Sequence, residues 1–274
     1  MKIALMDSGI GLLAAAGAVR RLRPGADLVL SSDPGSMPWG PRTPQDVTAL
    51  ALGVARAAAA HRPDALIVAC NTASVHALPA LRAALEPLLP VIGTVPAIKP
   101  AAAGGGSVAI WATPATTGSP YQRGLIRDFA ASVPVTEVPC PGLADAVEHA
   151  DEDAIDRAVA RAAALTPPDV SAVVLGCTHY ELVADRIRAA VRRPGRPDPV
   201  FHGSADAVAA QALRRIAERS GDRSADRAEG PGTDAAEAAA PRLTVLLGGA
   251  ESALPAAALA YAEGRLLAAV GQPR

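Results

Sequence analysis

Asp64-Ala65-Leu66-Ile67-Val68-Ala69-Cys70-Asn71-Thr72 is the stretch on which the fold turns. Ala65–Ala69 is an uninterrupted apolar run with no polar alternation, the pattern of a parallel strand covered on both faces. It ends on a thiol, and the small polar residues after it read as a turn into a helix N-terminus, where free backbone N–H groups favour anions. The same pattern returns in Ser171-Ala172-Val173-Val174-Leu175-Gly176-Cys177-Thr178-His179. A second pair behaves alike: Lys2-Ile3-Ala4-Leu5-Met6-Asp7-Ser8-Gly9 resembles Ser107-Val108-Ala109-Ile110-Trp111-Ala112-Thr113-Pro114. The offsets, 177 − 70 = 107 and 112 − 7 = 105, nearly agree. Two similar halves would set the two thiols in corresponding positions, facing one another across a cleft.

Outward from these segments, short apolar runs alternate with Ala-rich helical stretches. Strands are expected at Lys2–Met6, Asp27–Ser31, Ala65–Ala69, Val91–Val95, Val108–Ala112, Val135–Val138, Ala172–Leu175, Val200–Gly203 and Leu243–Leu247. Helices are expected between them, among them Pro44–Ala60, Val75–Leu85, Glu152–Leu165, Glu181–Val191 and Ala205–Glu218. This alternation implies an α/β fold of two doubly wound lobes with mainly parallel sheets, its ligand beyond the carboxyl ends of the strands. The first lobe is expected to comprise residues 1–95 and 204–274, the second 96–203. Ser220–Pro241, polar and without apolar periodicity, reads as a flexible surface insertion. Gly104-Gly105-Gly106 precedes a strand and reads as a linker between the halves.

The 274 residues are half hydrophobic but only 3% aromatic, which suits Ala-, Val- and Leu-rich helices packed on buried strands. A formal net charge of −1 gives no field to draw nucleic acid or anionic lipid. No run approaches the roughly 20 apolar residues of a membrane span. The first residues read as a strand rather than a signal peptide, so a cytoplasmic address is expected. Three widely spaced cysteines do not form a disulfide framework and in a reducing compartment are free thiols.

At strand ends beside helix N-termini, Cys70 and Cys177 are expected to have lowered pKa values. His179 stands close enough to Cys177 to supply a proton or hold a thiolate. Cys140, in Val138-Pro139-Cys140-Pro141, has no polar escort and reads as structural. Three readings of the pair compete with simple buried packing. A zinc site of Cys70, Cys177 and His179 lacks any CxxC pair. A cysteine hydrolase would leave the second thiol without a role. A proton-transfer pair, two groups on opposite faces of one carbon, uses both. No cofactor is expected: the only lysines, Lys2 and Lys99, show no Schiff-base setting, and neither a dinucleotide nor a triphosphate fingerprint is present.

These residues resemble the glutamate racemases of the aspartate/glutamate racemase superfamily along nearly the whole chain. Asp7-Ser8-Gly9-Ile10-Gly11 resembles the amino-terminal motif, and Asp33 with Pro38-Trp39-Gly40-Pro41-Arg42 the Asp…Pro-Tyr-Gly segment. Cys70-Asn71-Thr72-Ala73 and Gly176-Cys177-Thr178-His179-Tyr180 resemble the two cysteine motifs, with Ser74 and His179 of the glutamate rather than the aspartate type. Ala112-Thr113-Pro114-Ala115-Thr116 and Glu148 fall where the family has a Thr loop and an acidic helper.

The resemblance implies cofactor-independent interconversion of L- and D-glutamate, supplying D-glutamate for peptidoglycan. Cys70 would take the α-proton of D-glutamate and Cys177 that of L-glutamate. Asp7 would assist Cys70, while His179 and Glu148 would assist Cys177. Ser8, Asn71, Thr72, Thr113, Thr116 and Thr178 would hold the amino and carboxylate groups, with Pro38 and the backbone of Trp39 and Gly40. No metal, nucleic acid or membrane is expected as a partner, and a homodimer is the expected assembly. The sequence departs from the family pattern at Leu12, where a second Gly is usual, at Trp39, which adds bulk beside the substrate in place of Tyr, and at Glu181, in place of Pro. Another superfamily substrate, or a catalytically degenerate paralogue with a binding role, are the rival readings.

Overall fold

The computed structural model describes residues 1–221 and 240–269. The first half of the chain contains β1 (Lys2–Asp7), α1 (Leu12–Leu22), β2 (Asp27–Ser32), α2 (Pro44–Ala60), β3 (Ala65–Val68), α3 (Asn71–His76), α4 (Leu78–Leu85) and β4 (Val91–Gly93). Next come α5 (Ile98–Ala103), β5 (Val108–Ala112), α6 (Pro120–Phe129), β6 (Val135–Pro139), α7 (Leu143–Glu148), α8 (Glu152–Leu165), β7 (Ala172–Leu175), α9 (Thr178–Glu181), α10 (Ala184–Val191) and β8 (Val200–His202). The chain then returns through α11 (Ala205–Ser220), β9 (Leu243–Leu247), β10 (Ala250–Ser252) and α12 (Ala262–Ala268). The expected 220–241 insertion lies almost wholly outside the described residues.

Among the described residues ten strands form two sheets, ordered β10-β9-β2-β1-β3-β4 and β6-β5-β7-β8. All pairings are parallel except β10 with β9. The run β2-β1-β3-β4 has the same order as β6-β5-β7-β8, so the weak sequence repeat is a repeat of topology. Both cysteines follow the third strand of their unit.

Alternate residues of each central strand face different layers, as the period of two requires. Ile3 and Leu5 of β1, and Ala109 and Trp111 of β5, join one core that runs between the sheets with α1, α8 and α11. Ala4 and Met6 face the outer helices α2–α4 of the first lobe. Val108 and Ile110 face α5 and α6 of the second. Burying such runs on both sides contributes roughly 1.5–3 kcal/mol per large side chain, which is why the strands read as uninterrupted apolar segments.

Three expectations need correction. The helix expected at Val75–Leu85 is two helices, because Asn71 already begins α3 and Pro79 sits in the first turn of α4. Glu181–Val191 likewise divides into α9 and α10. The Gly104–Gly106 stretch is not the link between lobes. α5, which precedes it, already packs on β5, β7 and β8. The glycines make the turn from α5 into β5, with Gly105 at φ +76, and a Cβ on Gly106 would fall on the Ser171 side chain. The crossing itself lies earlier, between β4 and α5.

Candidate active site

Cys70 and Cys177 occupy equivalent places. Each is the extended N-cap residue of a short helix, Cys70 at φ −145 and ψ 118 before α3, Cys177 at φ −139 and ψ 136 before α9. Cys70 is buried and Cys177 partly exposed.

Beside Cys70 stands Asp7, the last residue of β1, only 1% exposed. Its Oδ1 accepts from the Ser8 N–H at 2.7 Å and the Ser8 hydroxyl at 3.3 Å. Its Oδ2 accepts from Thr178 Oγ1 of the second lobe at 3.2 Å. Burial pushes its pKa up to about 6, against the pull of His179 and of a hydrogen bond from the Cys70 thiol. The Cys70 thiol is itself raised well above its ordinary value, by burial first and by the Asp7 charge second, with the Ala73 N–H acting the other way. The lowered pKa expected for Cys70 is therefore corrected. Desolvation and a like-signed neighbour outweigh the helix N-terminus.

Beside Cys177 the escort differs. His179 Nδ1 lies 3.9 Å from Cys177 Sγ, and His179 Nε2 lies 2.9 Å from Glu148 Oε2. The same Glu148 oxygen accepts from the Ile10 N–H at 2.8 Å, so a helper on α7 is tied to the loop after β1. Burial alone would lower the His179 pKa, but hydrogen bonds to Cys177 and Glu148 and the fields of Cys177 and Asp7 hold it well above 6.5. Glu148 is buried, not part of a solvated helix face.

The glycines of the first motif make room for this assembly. A Cβ on Gly9 would fall on the Glu148 carboxylate and 2.5 Å from Met37 Sδ. A Cβ on Gly11 would fall on the Asp7 carboxylate, 2.5 Å from Thr178 Oγ1 and 2.6 Å from His179 Nδ1. Asp7 does not cap α1, which has no side-chain cap.

Asn71 bridges the lobes by donating from Nδ2 to the Gly176 carbonyl at 3.1 Å. Its buried Oδ1 has no hydrogen-bond partner among the described residues. Thr72 is half-buried at the start of α3. Thr113 and Thr116 bond each other at 3.2 Å in the loop after β5. That loop meets the Trp39–Gly40 segment, since a Cβ on Gly40 would lie 3.3 Å from Ala115.

Pro38 is exposed and no hydrogen bond joins it to the thiols. The Trp39 ring is 2% exposed and packs into the first lobe's outer core, its Nε1 donating to Ser36 Oγ at 2.8 Å. Its expected bulk is taken up there. Leu12 lines an apolar recess with Leu30, Val245 and Leu247 behind the Gly9–Ile10 turn. Cys140 is buried, donates to the Val138 carbonyl at 3.4 Å and has its pKa pushed up to about 12 by burial. Among the described residues no three His, Cys, Asp or Glu side chains converge as metal ligands, and no helix is long and apolar enough to cross a membrane.

Sequence reasoning missed two participants and the contact that a third makes. The Ile10 N–H holds Glu148. Tyr261, after the last strand, donates to the Val147 carbonyl at 2.6 Å, beside Glu148. Ser74 Oγ accepts from the Thr94 N–H at 2.9 Å, fixing the helix after Cys70 to the end of β4. No local pattern marks the first two, whereas Ser74 was visible as part of the motif.

The fold and its site define a class: a duplicated, two-lobed α/β protein with one cysteine from each lobe at the junction, each beside its own titratable escort. The description Asp/Glu/Hydantoin racemase matches residues 13–212, and the chain belongs to that family of isomerases. A glutamate racemase of Roseiflexus sp. (strain RS-1) is 36% identical over 222 residues, covering 79% of this chain and 80% of the relative. One of Pseudomonas putida (strain W619) is 33% identical over 85% of this chain and 86% of its own length. Among solved structures, Escherichia coli glutamate racemase in complex with L-glutamate and the activator UDP-MurNAc-ala superposes with a TM-score of 0.76 at 26% identity, covering 98% of this chain and 95% of that one.

Proposed function

We propose that the protein interconverts L- and D-glutamate by proton transfer at the α-carbon, with Cys70 and Cys177 as the two acid/base groups. The observation that carries the reading is the equivalence of the two cysteines. Each caps a short helix after the third strand of a repeated unit, one beside Asp7 and the other beside His179 and Glu148. The relatives named glutamate racemase support the substrate.

In the direction from D-glutamate, Cys70 passes its proton to Asp7 and, as thiolate, takes the α-proton. Cys177 donates its own proton to the opposite face of the carbon and is reprotonated by His179. In the reverse direction Cys177 is the base, with His179 taking its proton, and Cys70 is the acid. Glu148 stabilises the imidazolium that forms when His179 takes that proton. Positioned acid–base groups of this kind contribute about 10²–10⁴-fold each. The unpartnered Oδ1 of Asn71 is an acceptor suited to the substrate ammonium, because leaving it unpaired costs about 1–3 kcal/mol. Ser8, Thr72, Thr113, Thr116 and Thr178, with the backbone of Trp39 and Gly40, complete the substrate's contacts. The lobes are taken as residues 1–95 with 204–274, and 96–203. The role inferred is supply of D-glutamate for peptidoglycan, by a cytoplasmic enzyme acting as a homodimer.

The test is circular dichroism of the purified protein with each enantiomer, alongside uptake of solvent deuterium at the α-carbon. Optical signal should decay from both enantiomers, and Cys70→Ala and Cys177→Ala should each abolish it. Full activity in either variant overturns the two-thiol mechanism. Inactivity of the unaltered protein on glutamate with turnover of aspartate, a hydantoin or an arylmalonate moves the substrate elsewhere in the family.

A further inference from the structure

Glu181 closes α9, in the same short turn as Cys177 and His179. Its carboxylate reaches the point where the chain returns from β8 to α11. Oε1 accepts from the Ser204 N–H at 2.8 Å and the Ser204 hydroxyl at 2.7 Å, and Oε2 accepts from the Ala205 N–H at 3.3 Å. These N–H groups are the free donors at the start of α11, a helix whose N-cap residue, Ser204, makes no side-chain cap of its own. A carboxylate from elsewhere therefore caps the helix and meets the positive end of its dipole. Gly203 leaves the space for it, since a Cβ there would fall on the Glu181 carboxylate, 2.8 Å from its Cδ. α11 packs on α1, β3 and β4 of the first lobe. The turn bearing the second lobe's thiol is thus fastened to a first-lobe helix.

We infer that Glu181 is a positioning residue, which by capping α11 holds Cys177 and His179 in register with the first lobe. The inference rests on the two-thiol reading proposed above. Without Glu181 the Ser204 and Ala205 donors lose their acceptor and α9 loses its anchor. Cys177 then shifts relative to Cys70, and a misplacement of about 1 Å is enough to cost on the order of 10²-fold in rate.

The experiment compares the unaltered protein, Glu181→Ala, Glu181→Gln and Ser204→Ala, with α-protiated and α-deuterated L- and D-glutamate as separate substrates. Unaltered protein that fails to exchange the α-proton, or exchange that survives loss of either cysteine, refutes the two-thiol reading itself and removes the basis of this one. With that control met, Glu181→Ala is expected to lose about tenfold or more in kcat with a smaller change in KM. The primary isotope effect should rise from L-glutamate, where Cys177 takes the proton. From D-glutamate it should fall, because return of the proton by Cys177 becomes limiting. Glu181→Gln, keeping one acceptor, should lie between. Ser204→Ala removes one donor and leaves both backbone bonds, so it tests the same asymmetry, at a few-fold, should Glu181→Ala fail to fold. Wild-type isotope effects, or equal changes from both enantiomers, overturn the inference.

Discussion

Replacing Asp7 by Asn separates what the fold needs from what the chemistry needs. In the unfolded chain the Asp7 carboxyl titrates near 3.8, and in the folded protein at about 6, chiefly because it is buried. A carboxyl with a raised folded pKa binds its proton more tightly when folded. Its contribution to stability is therefore fully present below about pH 4 and lost as pH rises to about 6. The shift of about two units corresponds to about 3 kcal/mol. Asn does not titrate, keeps an oxygen for the Ser8 N–H, and can offer its amide to Thr178 Oγ1. Asp7→Asn is thus expected to gain on the wild type as pH rises, by up to about 3 kcal/mol at pH 8, or on the order of 6–10 °C in Tm for a chain of this size. Urea unfolding of both proteins from pH 4.5 to 8 measures that difference directly. Racemisation by the same variant should fall about 10²-fold or more, since Cys70 would lose the group proposed to take its proton. A stability difference that stays flat with pH, or that moves against the variant as pH rises, would refute the burial argument. Retained activity would refute the role given to Asp7.

Gly11→Ala should lose about 10²-fold in kcat, because the new methyl displaces Asp7, Thr178 or His179; a fully active variant would mean that these groups need not hold their positions. Glu148→Gln should move the His179-dependent limb of the pH–kcat profile to lower pH, because the carboxylate is one of the groups holding His179 above its ordinary value; a limb that stays put would show that Glu148 does not keep the imidazole charged. Cys140→Ala should keep racemisation within about twofold of wild type and cost about 1–2 kcal/mol in stability, measured by urea unfolding. A large loss of rate would bring that thiol into the chemistry.

The strands and the repeat were legible because both-face burial leaves an unmistakable trace, a continuous apolar run. β10 left none: Ala250–Ser252 is exposed, has no apolar residue beyond Ala, and follows a turn made by Gly248 and Gly249 at positive φ. The two divided helices read as longer ones because apolar periodicity carries across a one- or two-residue break. The cysteines could be singled out from their place at strand ends and His179 from its nearness to Cys177, whereas Asp7 entered only through the family resemblance. The sign of the Cys70 shift could not, since it depends on how deeply the thiol lies and on which carboxylate shares its pocket. Glu148 presents the same difficulty. In the sequence it stands in a charged stretch, and only the Ile10 N–H and His179, both distant along the chain, distinguish it from a solvent-facing residue.

The two thiols are equivalent in backbone but unequal in access, Cys70 being buried and Cys177 partly exposed. An electrophile or oxidant entering the junction meets Cys177 first. In a one-base enzyme, a second thiol could be modified with the proton transfer left intact. In the two-thiol mechanism proposed above, each thiol is the acid for the direction in which the other is the base, so a single oxidised sulfur would silence both directions at once. On that reading, tolerance of oxidative damage would be set by the more accessible cysteine, and the shielding of Cys70 would not preserve an activity that needs Cys177 as well.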